Sequence, residues 1–157
     1  MDQNQSRMRL EIRVVRPDEL PSILDLYQHL HETDIPLPGE NVILGVWDEI
    51  IQDPKIQLLV ADFEGRLVSS CILTIIPNLT RGARPYGIIE NVVTHADYRQ
   101  QGIGTQLLRH VLEIAWENSC YKVMLLTGSK QETVFRFYER AGFVRGVKTG
   151  FVAFPEK

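Results

Sequence analysis

The feature that most constrains the fold is the stretch from residue 87 to residue 116, which changes from a strand pattern to a loop and then to a helix pattern. Its first part is rich in β-branched residues, as in a strand that is buried on both faces. The polar loop that follows ends in Gly102 and Gly104. Apolar residues then recur at helical spacing, namely Ile103, Leu107, Leu108, Val111, Leu112 and Ala115. The stretch therefore predicts a buried strand that leads through a glycine-containing turn into an amphipathic helix.

This turn is suited to an anionic ligand. The first backbone N–H groups of a helix have no partner within the helix, and the helix dipole contributes about 0.3–1 kcal/mol per nearby exposed negative charge. Side chains at positions 102 and 104 would hinder the approach of a phosphate, and glycine removes them. Two common phosphate motifs do not fit: the Walker Gly-Lys-Ser/Thr is absent, and Leu107 stands where the dinucleotide motif has its third glycine.

The remaining pattern, Arg99-Gln-Gln-Gly-Ile-Gly104, resembles the acyl-CoA loop of the GNAT superfamily of CoA-dependent N-acetyltransferases. A second segment, TVFRFYERAGFV at residues 133–144, is similar to the Phe-Tyr-x-x-x-Gly-Phe signature of the same superfamily. The two segments have the family's order and separation, and a predicted strand at residues 121–126 lies between them. The resemblance covers residues 87–144 and implies a GNAT-like fold with acetyl-CoA as the acyl donor.

The composition limits the other classes of protein. The chain has 157 residues, and we expect a single N-acetyltransferase domain over residues 1–157 with residues 1–7 as a flexible tail. A net charge of −3 argues against a nucleic-acid partner. No apolar run reaches the ~20 residues that cross a bilayer, and the N-terminus lacks the apolar core of a signal peptide. We therefore expect a cytoplasmic enzyme that does not bind a membrane.

The cysteines and histidines do not indicate a metal site. Cys71 and Cys120 lie in apolar runs without metal-ligand spacing, so we expect buried free thiols, which suits a reducing compartment. His29 and His31 are two residues apart at the end of a predicted helix, on different faces, which argues against a shared ion. The predicted enzyme therefore uses no metal.

Local patterns predict the other elements. Glu64-Gly65 is typical of a tight hairpin between two strands, and Arg16-Pro17 is typical of a helix start. The predicted strands cover residues 10–15, 56–63, 66–76 and 121–126 and one or two more within 143–154, besides the central one. One predicted helix begins at residue 16, and three others cover residues 42–51, 103–116 and 131–141. Residues 77–86 are predicted to form a mobile loop. The class is α/β: a three-layer α/β/α sandwich with a mixed, mostly antiparallel sheet of six or seven strands and about four helices.

The resemblance implies which residues bind acetyl-CoA, the acyl donor. The diphosphate of acetyl-CoA meets the backbone of Gln100, Gln101, Gly102, Ile103, Gly104 and Thr105. Arg99, which starts the motif, either faces a phosphate or forms a surface ion pair. The two amides of the pantetheine arm pair with the end of the central strand at Val92, Val93 and Thr94, as an added strand would. Many family members also have an asparagine that contacts pantetheine, where this chain has Gln131.

The resemblance also implies the catalytic groups. A backbone N–H near Val93 stabilises the oxyanion, and Tyr138 matches the tyrosine that protects the departing thiolate. From the pattern alone, Tyr138 is equally an aromatic residue of the core. Glu90 is a candidate general base, because a carboxylate inside an apolar strand is costly to bury unless it is paired or used. The alternatives for Glu90 are an ion pair with Arg84 or Arg81, or a place in solvent where the strands splay apart.

Three functions remain open at this point. The first is an N-acetyltransferase that moves the acetyl group to a primary amine of a small molecule by direct attack in a ternary complex, as a monomer or a homodimer. The second is a non-catalytic acyl-CoA-binding sensor or regulatory module. The third, a nucleotide-binding module without acyl chemistry, is disfavoured by the chemistry of the loop.

Overall fold

The computed structural model describes residues 9–156. The predicted tail, residues 1–7, lies outside them. Along the chain the strands and helices are β1 (Leu10–Val14), α1 (Leu20–Tyr27), α2 (Glu40–Gln52), β2 (Ile56–Phe63), β3 (Arg66–Ile76), α3 (Thr80–Ala83), β4 (Tyr86–Thr94), α4 (Ile103–Glu117), β5 (Val123–Met124) and α5 (Glu132–Ala141). Single 3₁₀ turns at Pro17–Glu19 and Ala96–Tyr98 precede α1 and follow β4.

The five strands form one sheet in the order β1-β2-β3-β4-β5. The first four are antiparallel to their neighbours, and β5 is parallel to β4. The predicted hairpin between β2 and β3 is confirmed, with positive φ at both Glu64 (52°) and Gly65 (87°), as a type I′ turn requires. The Gly65 N–H also donates to the Asp62 carboxylate at 2.7 Å.

Helices cover both faces of the sheet, so the predicted three-layer class is confirmed. Because side chains alternate along a strand, neighbouring residues of β2 enter different cores. Leu58 and Val60 pack with Ile23, Leu26 and Trp47 from α1 and α2. On the other face, Leu59, Cys71, Leu73 and Ile89 pack with Leu107, Leu108 and Val111 of α4.

The number of strands differs from the prediction, with five instead of six or seven. The predicted strand at residues 121–126 shortens to Val123–Met124, and residues 143–156 form no strand. A strand requires a partner edge, and the short β5 offers almost none. The helices number five within the described residues because α3 is added, a single turn in which Arg81, Gly82 and Ala83 all have positive φ.

The loop at residues 77–86 is anchored, in contrast to the mobile loop we expected. The Asn78 amide donates to the carbonyl oxygens of Thr80 (2.9 Å) and Arg84 (3.1 Å). The Arg84 guanidinium donates to the carbonyl oxygens of Ser119 and Cys120, each at 3.2 Å. These contacts fasten the loop to the turn that follows α4. Within residues 9–156, no helix has both the length and the apolar character needed to cross a bilayer.

Candidate functional site

β4 and β5 separate after a short paired stretch. The two strands pair only at Gly87 with Val123 and Ile88 with Met124. β5 then ends, whereas β4 continues to Thr94. In the described part of the chain, the β4 edge beyond Ile88 therefore has no strand partner. The carbonyl oxygens of Val93 and Thr94 already accept from Ser69 Oγ (2.8 Å) and Arg99 Nε (3.0 Å), so an extended ligand would pair with the other backbone groups of this edge.

A β-bulge lies in this free part of β4. Ile72 pairs with Glu90 and Ser70 with Val93, so that Asn91 and Val92 together face the single residue Cys71. Asn91 has a φ of 53°, in the left-handed region that asparagine tolerates better than most residues. A bulge bends the strand and changes the direction of its side chains and amides, and bulges are common beside active sites.

The turn before α4 carries a set of unpaired backbone N–H groups. Gln100 (φ 60°) and Gly102 (φ 79°) are both left-handed, and in such turns successive N–H groups surround an anion-sized concavity. The first amide here with an acceptor in residues 9–156 is that of Gln106, which donates to the Gly102 carbonyl oxygen at 3.0 Å. The N–H groups of residues 100–105 can therefore bind an anion at the start of the helix.

The two glycines of this turn are needed for different reasons. Gly102 has a left-handed backbone, and a Cβ there would meet only the Gln106 amide at 3.9 Å. Gly104 has no such backbone, but a Cβ there would lie 3.0 Å from Thr94 Oγ1 and 3.1 Å from the Phe137 ring. Close packing of α4 against β4 and α5 therefore explains Gly104 without any ligand.

Tyr138 of α5 is half-buried among aromatic rings. Its ring centroid is 4.9 Å from that of Phe137 and 6.3 Å from that of Phe143. Burial, followed by the charges of Cys71 and Glu90, raises the pKa of the Tyr138 hydroxyl. The phenol therefore stays protonated at neutral pH and can donate a hydrogen bond.

Similarity to known proteins decides the family. The model of the Acetyltransferase (GNAT) family matches residues 20–143. The chain belongs to the GNAT family of acetyltransferases. It is 38% identical over 136 residues, 85% of this chain and 88% of the relative, to a Trypanosoma brucei brucei protein named glucosamine 6-phosphate N-acetyltransferase.

Two solved structures show the same fold. A putative acetyltransferase from Agrobacterium tumefaciens str. C58 is 42% identical, with a TM-score of 0.86 over 92% of this chain and 99% of that one. A Trypanosoma brucei acetyltransferase is 34% identical, with a TM-score of 0.76 over 93% and 100% of the two chains. The predicted family and fold are thus confirmed, and the protein is an acyltransferase enzyme of a family that uses acetyl-CoA.

In this GNAT chain the Glu90 side chain is exposed, and it forms no ion pair within residues 9–156. Arg84, one of the two basic residues considered as its partner, is bonded to the carbonyl oxygens of Ser119 and Cys120 instead. Glu90 stands on β4 just beyond its last pair with β5, where the strands splay apart. Its role as the general base stays a prediction.

Arg99 is held by the protein itself. Its Nε donates to the Thr94 carbonyl oxygen at 3.0 Å, and its Nη2 donates to that of His29 at 2.9 Å. These bonds connect the end of β4, the residues just after α1 and the N–H turn at residues 100–105. Gln131, which stands in place of the asparagine of many GNAT proteins, is the exposed N-cap of α5.

Sequence reasoning missed two groups near the bulge. The Tyr27 hydroxyl is buried and has no hydrogen-bond partner among the described residues. Burial raises the pKa of Tyr27 to about 12, and the neighbouring Asn91 side chain partly offsets this rise. The signal that could have indicated a bulge is the polar pair Glu90-Asn91 inside an apolar strand, because asparagine tolerates left-handed backbone.

A polar cavity of about 300 Å³ lies on the α1 side of the same strand end. The rings of His29 and His95 stack there with centroids 4.0 Å apart, and Arg66 Nη2 is 2.8 Å from His95 Nε2. Burial, followed by the charges of His29 and Arg66, lowers the pKa of His95. Within residues 9–156, no three His, Cys, Asp or Glu side chains cluster as metal ligands do.

Proposed function

We propose that this acetyltransferase moves the acetyl group of acetyl-CoA to a primary amine of a small molecule by direct attack in a ternary complex. The observation that carries the proposal is the relationship between two consecutive residues of α5. Phe137 packs against Gly104 in the N–H turn, and Tyr138 packs against the same core as Val92, a residue of the β4 bulge. The anion-binding turn and the β4 bulge therefore belong to one site beside α5.

Each part of acetyl-CoA has a candidate partner in this site. The free N–H groups of residues 100–105 suit the diphosphate, with Arg99 bracing the turn. The open β4 edge at Val92, Val93 and Thr94 suits the two pantetheine amides, which pair as a peptide strand does. The Val93 side chain is 3% exposed, so its contribution to the oxyanion is a backbone N–H. A single such donor typically contributes about 2.7–4 kcal/mol to the barrier reduction.

The chemical step uses Tyr138 and Glu90. The acceptor ammonium gives a proton to the Glu90 carboxylate, directly or through water, which an exposed carboxylate permits. The free amine attacks the thioester carbonyl carbon, the C–N bond forms, and the C–S bond breaks as the intermediate collapses. The attacking nitrogen loses its second proton in this step, through water, and the departing thiolate gains it, so the products are the neutral amide and the CoA thiol; Glu90 returns its proton to solvent. The Tyr138 hydroxyl donates to the leaving thiolate, and its raised pKa keeps the donor form present.

The acceptor that we propose first is an amino sugar, with the amine as the acetylated group. The support is the name of the Trypanosoma brucei brucei relative, glucosamine 6-phosphate N-acetyltransferase, together with its 38% identity over most of both chains. A Bacillus subtilis relative named streptothricin acetyltransferase A is 36% identical over 61 residues, so antibiotic amines belong in the same panel.

The test measures release of free CoA thiol from acetyl-CoA with glucosamine 6-phosphate, glucosamine, streptothricin and simple amines, beside calorimetric binding of CoA. Thiol release with at least one amine is expected. CoA binding without thiol release from any amine would favour the alternative, a non-catalytic acyl-CoA sensor. No binding of CoA or acetyl-CoA would overturn both readings.

A homodimer is the assembly that we propose. The segment after α5 exposes large apolar side chains, with Phe151 92%, Phe154 84% and Val147 72% exposed. Contiguous apolar surface of this kind marks an interaction site. Two copies that packed these side chains against each other would remove them from water. The domain we propose spans residues 1–157 and acts in the cytosol, where the buried free thiols of Cys71 and Cys120 remain reduced.

A further inference from the structure

Tyr27 carries a hydroxyl group that the fold does not use. The ring packs in the apolar cluster with Trp47, Leu58 and Val93, a role that phenylalanine would fill equally well. The oxygen is buried away from solvent, yet no group of residues 9–156 forms a hydrogen bond with it. Buried polar atoms without a partner are rare in folded proteins and call for an explanation.

α1 packs against β4, and Tyr27 lies against the cluster that contains Val93, two residues after the bulge residue Asn91. The polar side chain nearest to the hydroxyl is that of Asn91. Asn91 is the left-handed residue of the bulge, and its side chain is exposed. It lies between Glu90, the proposed base, and Val92, the start of the proposed pantetheine-binding edge. An amide in this position can contact an acceptor and rotate toward the Tyr27 hydroxyl at the same time.

We infer that Asn91 and Tyr27 form a neutral polar subsite that binds a hydroxyl group next to the acceptor's amine. The inference rests on the proposed function. Asn91 contacts the acceptor, and Tyr27 is a positioning residue that fixes the rotation of the Asn91 amide through a hydrogen bond completed when the acceptor is bound. The amine itself faces the Glu90 carboxylate, so the site recognises a 2-amino alcohol, the unit that amino sugars contain.

The chemistry of the pair supports a hydroxyl ligand over a charged one. The amide of Asn91 offers two donors and one acceptor, and a phenol offers one donor and accepts as well. With a pKa of about 12, Tyr27 stays neutral at working pH. A second ammonium or a phosphate would gain no charge partner from these two groups, whereas a hydroxyl group can donate to one oxygen and accept from an N–H.

The experiment compares trans-2-aminocyclohexanol with cyclohexylamine as acceptors, by kcat/KM, in the wild type and in three variants. Tyr27→Phe removes only the hydroxyl. Asn91→Gly removes the amide but keeps a residue that adopts positive φ readily. Ser70→Ala is the matched control, since Ser70 Oγ is another buried atom without a partner on the neighbouring strand.

We expect the wild type to prefer the amino alcohol, and each of Tyr27→Phe and Asn91→Gly to reduce the preference about 10-fold. The KM for acetyl-CoA should not change, and the double variant should lose little more than either single one. The melting temperature of ligand-free Tyr27→Phe should be equal to or higher than that of the wild type. Ser70→Ala should keep the preference.

Three results would overturn the inference. The first is that the wild type has the same kcat/KM for both amines. The second is that Tyr27→Phe and Asn91→Gly keep the preference of the wild type for the amino alcohol. The third is that the wild type acetylates glucosamine but neither of the two probe amines. A lower melting temperature for Tyr27→Phe with an unchanged preference would show a structural hydroxyl. Failure of the proposed function looks different, since thiol release would then be absent with the whole amine panel.

Discussion

The ring of Phe137 lies 3.1 Å from the point at which a side chain on Gly104 would begin. The contact joins α5 to the first turn of α4, and Thr94 Oγ1 closes the same space at 3.0 Å. It makes position 104 a packing constraint as well as part of an anion-binding turn.

Gly104→Ala should therefore destabilise the fold by about 1–3 kcal/mol through overpacking. CoA binding should weaken with it, because the N–H turn and α5 are forced apart. Thermal unfolding and calorimetry measure the two effects. In the comparison variant Gly102→Ala the strain lies in the left-handed backbone, and Gly102→Asn should recover part of the loss while Gly104→Asn should not. Equal tolerance of alanine at both positions would contradict the packing explanation.

Tyr138→Phe should reduce kcat about 100-fold and leave the dissociation constant of CoA unchanged, since the hydroxyl acts on the leaving thiolate. The donor is the protonated phenol, which is present below its pKa and lost as the pH rises through it. Because the pKa is raised above the ordinary 10.0, the alkaline loss of kcat that belongs to Tyr138 should lie above pH 10. A pH–rate profile of the wild type beside Tyr138→Phe measures it. Unchanged turnover in Tyr138→Phe would refute the assigned role.

Arg99→Ala should lower stability by about 1 kcal/mol and weaken CoA binding, because the bonds to the Thr94 and His29 carbonyl oxygens are lost. Arg109→Ala is the matched control: Arg109 donates to a single carbonyl, that of Arg140, at 2.8 Å on the exposed face of α4. CoA affinity should be unchanged in Arg109→Ala. Equal CoA affinities in the two variants would mean that Arg99 neither braces the turn nor meets a phosphate.

His95 should make the folded protein less stable in mild acid. Burial and the charges of His29, Arg66 and Arg99 lower its pKa, with Asp97 opposing. The unfolded chain then binds the proton at a higher pH than the folded one, so stability falls as the pH drops below about 6.5 and is fully present above it. Melting temperatures from about pH 8 to about pH 5 should show a smaller decrease for His95→Gln than for the wild type. As the control, the melting temperature of His110→Gln should decrease with pH as that of the wild type does. If the melting temperature of His95→Gln also decreased as much as that of the wild type, the assignment to His95 would be contradicted.

The apolar segment after α5 predicts the effect of surface changes on assembly. Phe151→Ser with Phe154→Ser should convert a dimer into a monomer, as measured by light scattering coupled to size exclusion. Leu79→Ser is the control, because Leu79 is 95% exposed in the turn before β4, apart from that segment in the chain. If the wild type were monomeric at all concentrations, the proposal of a homodimer would be wrong.

Elements set by local pattern could be predicted closely from the sequence. The strands predicted at residues 56–63 and 66–76 match β2 and β3, since both their periodicity and the Glu64-Gly65 turn lie within a few residues. The segment at residues 143–154 is rich in aromatic and β-branched residues but forms no strand, because strand formation also depends on an edge elsewhere in the chain or in another copy. The pattern of residues within the segment does not show whether such a partner edge is present.

The candidate site shows the same division. The N–H turn follows from a motif of six residues. The exposure of Glu90 does not, because it depends on where β5 stops pairing with β4 and on the extra residue at Asn91. The reason for Gly104 is likewise distant in sequence, since its neighbour Phe137 belongs to another helix.

The two residue pairs that join β4 to β5 also mark the border between two parts of the molecule that should differ in local stability. On one side, β1 to β4 form long antiparallel ladders that should exchange their amide hydrogens only through global unfolding. On the other side, β5 is joined to β4 by two residue pairs only, and α5 is held by its packing against α4. The C-terminal part should therefore exchange its amide hydrogens sooner than β1 to β4, to an extent limited by Ala141, Phe137 and Tyr138, which pack in the core beneath α4.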